Sequence, residues 1–150
     1  MNFHTKQISY WPLLFNIDII IVLLVTSYYK WVDDPFESKV LIGICILLGL
    51  LFVIFYGLFI EVNKTQIQIK FGLGFIKKNI KIKDIESVAS VRNKWWYGWG
   101  IRLTPHGWLW NIHGLNAVEI KYKNSGKKFR IGTLDSNELK AEIEKHIISE

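Results

Sequence analysis

The chain has 150 residues, 50% of them hydrophobic, with 19 Lys and Arg against 13 Asp and Glu and a formal net charge of +6. One cysteine, Cys45, rules out an intrachain disulfide framework. No zinc-finger or single-strand-binding motif accompanies the basic charge, so nucleic acid is not an expected partner.

Residues 1–60 predict a membrane hairpin. The stretch Pro12–Tyr29 is long enough to span but is interrupted by Asn16 and Asp18. One central acid costs about 2.5–3.5 kcal/mol on an insertion scale, which the eleven Leu, Ile, Phe and Val residues of this stretch offset by roughly 3–7 kcal/mol. Tyr10 and Trp11 at one end, and Tyr28, Tyr29 and Trp31 at the other, stand where interfacial anchors belong. The flanks offer no small-residue cleavage site, so the segment is expected to be retained. Val40–Ile60 then runs without a charge and, as one helix, would span about 31 Å. The expectation is two transmembrane helices, about 10–30 and 39–59, joined by KWVDDPFESK, with membrane lipids as integral partners. Lys6, Lys64, Lys70, Lys77 and Lys78 outnumber Lys30 and Lys39, which places both termini in the cytoplasm by the positive-inside rule. Asn16 and Asp18 are candidate intramembrane polar contacts, favouring packing between helices or subunits over ion transport.

Residues 61–150 predict a basic domain, holding 16 Lys and Arg against 9 Asp and Glu. Such a charge suits the anionic face of a membrane. In TQIQIKF the residues Ile67, Ile69 and Phe71 share one face, as a half-buried strand requires. Gly72 and Gly74 mark a turn, and FIKKNIKI resumes a strand. AVEIKYK, NSG and KKFRIGTL read as a hairpin, with Val118, Ile120 and Tyr122 opposed by Phe129 and Ile131. DSNELKAEIEKHIIS predicts a helix with Asp135 and Glu138 at capping-box spacing and a stripe of Leu139, Ile143 and Ile147. Some seven or eight strands followed by one amphipathic helix is the order of a small barrel or orthogonal sandwich with a helix across one end.

Chemistry-bearing motifs are sparse. His106 and His113 lack a Cys or second acid at ligand spacing, so no metal is expected. His146 reads as a helix-end cation or a surface residue. Gly72-Leu73-Gly74 lacks the rest of a dinucleotide fingerprint, and no G-x-S-x-G, H-E-x-x-H or P-loop pattern occurs. Neither catalytic residues nor a cofactor is expected, and the chain is not predicted to be an enzyme.

The stretch KWWYGWGIRLTPHGWLW, residues 94–110, holds five of the seven tryptophans. GWGIR at 98–102, NAVEI at 116–120 and RIGT at 130–133 before the last helix resemble the bacterial pleckstrin-homology-like domain family, over roughly residues 60–148. The resemblance implies a seven-stranded barrel capped by a C-terminal helix, bacterial origin, and anchoring by two N-terminal helices. The expected fold is thus a two-helix transmembrane hairpin over 1–60, followed by a mainly-β PH-like barrel of about seven strands over 61–150 with a C-terminal α-helical cap. Inositide-binding domains of that fold use basic residues between the first two strands, and here only Lys77 and Lys78 lie near the comparable turn.

Three roles compete for the aromatic stretch. Trp99, Trp108 and Trp110 could build the barrel wall, with Gly98 and Gly100 allowing a bend or close contact and Arg102 an anchoring donor. Trp95, Trp96 and Tyr97 could rest among lipid headgroups. The same tip could anchor a protein partner. The predicted function is an interaction module tethered at the cytoplasmic face of a bacterial inner membrane, binding protein partners or the anionic membrane surface through Trp95, Trp96, Tyr97, Trp99, Arg102, Lys77 and Lys78. The alternative is a structural or regulatory subunit of an inner-membrane complex in which the transmembrane helices make the specific contacts; a protein partner or a homo-oligomer is expected.

Overall fold

A computed structural model describes residues 3–29 and 38–148. In chain order these form β1 (Phe3–Ile8), α1 (Trp11–Tyr29), α2 (Ser38–Phe55), β2 (Gly57–Val62), β3 (Gln66–Phe71) and β4 (Ile76–Lys81). A 3-10 turn, Ile82–Asp84, leads to β5 (Ile85–Arg92), and a second, Trp95–Tyr97, leads to β6 (Gly100–Thr104). Then follow β7 (Gly107–Asn111), β8 (Asn116–Tyr122), β9 (Lys128–Gly132) and α3 (Ser136–Ile148).

The strands divide into two sheets, ordered β1-β2-β3-β4 and β5-β8-β9-β7-β6. All pairings are antiparallel except β7 with β9, which run parallel. Period-two alternation sends Leu58, Ile60, Val62, Ile67, Ile69 and Phe71 of the first sheet into one hydrophobic cluster with Val118, Ile120, Phe129 and Ile131 of the second. Leu139 and Ile143 add the apolar stripe of α3, which packs on β5 and β8. Asp135 caps that helix, its Oδ1 accepting the backbone N–H groups of Asn137 at 3.1 Å and Glu138 at 2.9 Å.

The predicted transmembrane hairpin is not formed: among the described residues, no helix is long and apolar enough to cross a membrane. The charge-free run from Val40 to Ile60 does not stay helical. Helix α2 ends at Phe55, and Gly57–Ile60 enter β2 because they pair with β1 on one side and β3 on the other. What remains is an 18-residue helix, about 27 Å long, opening on Ser38 and Lys39, against roughly 30 Å of hydrocarbon. Helix α1 carries Asn16 and Asp18 within its length. The two-pass inner-membrane location, the cytoplasmic placing of both termini and the integral lipid partnership fall with the spans, since without a crossing helix the lysine count has nothing to orient. Most of the predicted loop, residues 30–37, lies outside the described residues. Helices α1 and α2 do pack on each other, and Asn16 Nδ2 donates to the Leu48 carbonyl at 3.1 Å. Their outer faces expose Leu14, Ile17, Ile21, Ile42, Ile46 and Leu50, an apolar surface of the kind that marks association sites.

The seven-stranded barrel is corrected as well. Nine strands occur among the described residues, in two sheets that do not close. The turn at Ile82–Asp84 carries the chain from one sheet to the other and interrupts the ladder between β4 and β5. Strand β1, which no period-two pattern distinguishes, takes the outer side of β2. Its Gln7 crosses to the second sheet, donating Nε2 to the Gly132 carbonyl at 3.0 Å within the buried interior.

Candidate functional site

Strands β5 and β6 occupy opposite edges of the five-stranded sheet, so the segment between them, Asn93–Trp99, must traverse its width. Its placement is set by three contacts. Asn93 N donates to Leu115 O at 2.7 Å, Asn93 Oδ1 accepts Arg130 Nη1 at 3.1 Å, and the Tyr97 ring lies 6.4 Å from that of His106 at the β6–β7 turn. The aromatic stretch is therefore a strap laid over the outer face of the sheet. Its tip points outward: Trp95 is 75% exposed and Trp96 59%, with Lys94 Nζ 4.9 Å above the Trp96 ring.

Of the three tryptophans expected in the wall, Trp110 alone is buried, between Phe71 and Phe129 at centroid distances of 5.4 and 5.7 Å. Trp108 shares its face, but lies at the open end of β7 and is half exposed; Trp99 precedes β6 and is also half exposed. Arg102 is exposed and donates Nε to the Trp99 carbonyl at 3.0 Å, which steadies the bend at Gly98 and Gly100. Both glycines adopt positive φ, 68° and 89°, with open space around Gly100, so conformation rather than close contact selects them.

A second group of residues, drawn from both sheets, lines a common groove. Lys78 of β4 stands opposite Ile69 of β3, and its Nζ lies 5.0 Å from the centre of the Phe129 ring of β9. Together with His106, Trp108, Tyr122 and Lys127 it lines a groove of about 920 Å³, here called the mouth. Among the described residues no carboxylate lines it. Lys128 also borders it but is engaged by Glu119, at 2.7 Å. Among the described residues neither Lys78 nor Lys127 has an ion-pair partner, and His106, Trp108, Tyr122 and Phe129 supply the aromatic part of the lining. Burial, reinforced by Asp84, pushes the Tyr122 phenol up, which keeps it a neutral donor. Lys77, by contrast, is exposed, opposite Lys70, and does not line the groove.

The residues singled out from sequence thus separate. Trp95, Trp96 and Tyr97 belong to the strap. Trp99, Arg102 and Asn16 meet around a smaller groove of about 410 Å³ between the helices and β6. Lys78 belongs to the mouth, and Asp18 is exposed on α1. His146 is buried rather than superficial, its Nε2 3.2 Å from Glu142 Oε1. Among the described residues no group of three or more His, Cys, Asp and Glu could hold a metal ion. Sequence reasoning missed His106, Tyr122 and Lys127 as neighbours. The signal was the lysine-rich hairpin tip KYKNSGKK, whose spatial partner, the β6–β7 turn, is not local. No family model matches the chain, and no curated protein matches it, so geometry and chemistry carry the assignment.

Proposed function

We propose that the chain is a protein-interaction module of pleckstrin-homology-like type, acting by binding rather than catalysis, and that its mouth takes an extended acidic segment of a partner protein. The observation that carries this reading is the pairing of Lys78 with the Phe129 ring at the rim of a groove that, among the described residues, no carboxylate lines. Aromatic and lysine side chains together suit a ligand with acidic groups on an extended, partly apolar body. Strand β4 is an edge of its sheet, with one row of backbone donors and acceptors open to a further strand, the geometry used in strand addition. The excess of basic residues over 61–150 adds long-range attraction for an acidic partner. A recessed groove fits a peptide better than it fits a flat lipid surface.

Fluorescence anisotropy with a labelled, Asp- and Glu-rich ten-residue peptide tests the proposal on the full chain. Binding should weaken with salt, and reversing both charges, Lys78→Glu with Lys127→Glu, should raise the Kd by about tenfold or more. Equal affinity for a lysine-rich peptide, or an unchanged Kd in the double variant, would refute it. So would binding to anionic vesicles without binding to the peptide.

A further inference from the structure

We infer a second binding site, independent of the mouth, for a long-chain carboxylate of the fatty-acid class in the groove between the helical pair and β6. The groove holds about 410 Å³ and is walled by Leu51, Phe52 and Phe55 of α2 and by Trp99 and Ile101. That size and lining match small-molecule sites, which are mostly apolar with a few placed polar groups. Among the described residues that line it, Arg102 is the one that is charged, and none is an acid. The guanidinium is held at its root by the Nε bond to Trp99 O at 3.0 Å, which leaves the two Nη groups as a fork. Among the described residues no carboxylate pairs with that fork. A fork of two N–H donors matches the two oxygens of a single carboxylate. A single cation beside an apolar wall therefore selects a monoanionic head on a hydrocarbon chain, with the head on Arg102 and the chain along Phe52 and Phe55. The other polar liner, Asn16, is a neutral amide, and its Nδ2 donates to Leu48 O.

Trp99 in the wall supplies the readout. Dibromostearate, titrated into the full chain below the concentration at which it forms micelles, should quench tryptophan fluorescence saturably. Most of that quenching should vanish in Trp99→Phe, because bromine quenches only rings that it touches. Arg102→Gln should weaken binding about tenfold, as expected for a lost charged hydrogen bond, and the methyl ester should bind the unaltered chain equally poorly. The ester arm needs no variant, so misfolding of either substitution cannot decide the matter. The site is overturned if the ester binds as tightly as the acid, if Trp99→Phe is quenched as fully as the wild type, or if only brominated phospholipid vesicles quench.

Discussion

Glu119 and Arg130 face each other on neighbouring strands, and one carboxylate oxygen, Oε2, accepts from both Arg130 Nη2 at 2.7 Å and Nε at 2.8 Å. The other oxygen holds Lys128 Nζ at 2.7 Å, while Arg130 Nη1 donates to Asn93 of the strap at 3.1 Å. Glu119 is 9% exposed and Arg130 7%. The strap that carries the aromatic tip is thus tied to β8 and β9 through a buried charge network.

Breaking this network from its two sides should have unequal effects. Glu119→Ala leaves the buried Arg130 cation with only a neutral amide and should cost about 3–5 kcal/mol. Arg130→Ala leaves Glu119 still paired with Lys128 and should cost less. Urea denaturation of the two variants, followed by far-UV circular dichroism, measures the difference, and equal losses would count against the network as described.

The same network sets an acid limit. Burial alone would raise the Glu119 carboxyl, but the hydrogen bonds and charges of Lys128 and Arg130 outweigh it and hold it below the ordinary value of 4.5. A carboxylate depressed by folding stabilises the native state fully above its unfolded pKa and loses that contribution as pH falls through the lower, folded value. Stability should therefore drop below about pH 4.5 more steeply in the wild type than in Glu119→Gln, as seen in denaturation midpoints taken across that range.

Tryptophans of the one aromatic stretch should differ sharply in weight. Trp110→Ala removes a core ring packed on Phe71 and Phe129 and should cost about 3–5 kcal/mol. Trp95→Ser with Trp96→Ser should stay within about 0.5 kcal/mol per site, since both rings are largely in solvent. Thermal melts of the variants decide between this division and a tip that is structural.

Gly107 is one of two tight points of the parallel pair, with Gly132 against Asn111. At φ 96° a side chain is already strained, and a Cβ there would run into the Lys128 carbonyl of the neighbouring strand. Gly107→Ala should separate β7 from β9 and cost more than Gly100→Ala. At Gly100 φ is 89° but nothing lies close, so only the conformational strain of about 1–3 kcal/mol applies. Parallel melts of the two variants should show the larger loss for Gly107→Ala, with broadened signals from the mouth.

Local pattern carries far in this chain. Alternation in TQIQIKF and AVEIKYK is enough to place β3 and β8 and to say which side chains turn inward, because a strand's faces follow from a two-residue period. Asp135 and the four-residue spacing of Leu139 and Ile143 likewise place the last helix, since capping and amphipathic periodicity are properties of one segment. Among the site residues, Lys78 could be picked out by its place near a turn between strands, and the strap tip by its run of aromatic side chains.

What happens between segments is a different matter. Whether Gly57–Ile60 continues a helix or joins a sheet is decided by β1 and β3 offering strand partners on both sides, and no window around residue 58 contains that information. The division of the strands into two sheets that do not close, the parallel insertion of β7 beside β9, and the meeting of Lys78 with Phe129 across a gap of 51 residues all depend on long-range pairing. Short-range periodicity specifies which face of an element is apolar. Only the folded chain, by satisfying backbone hydrogen bonds between distant strands, selects what that face meets.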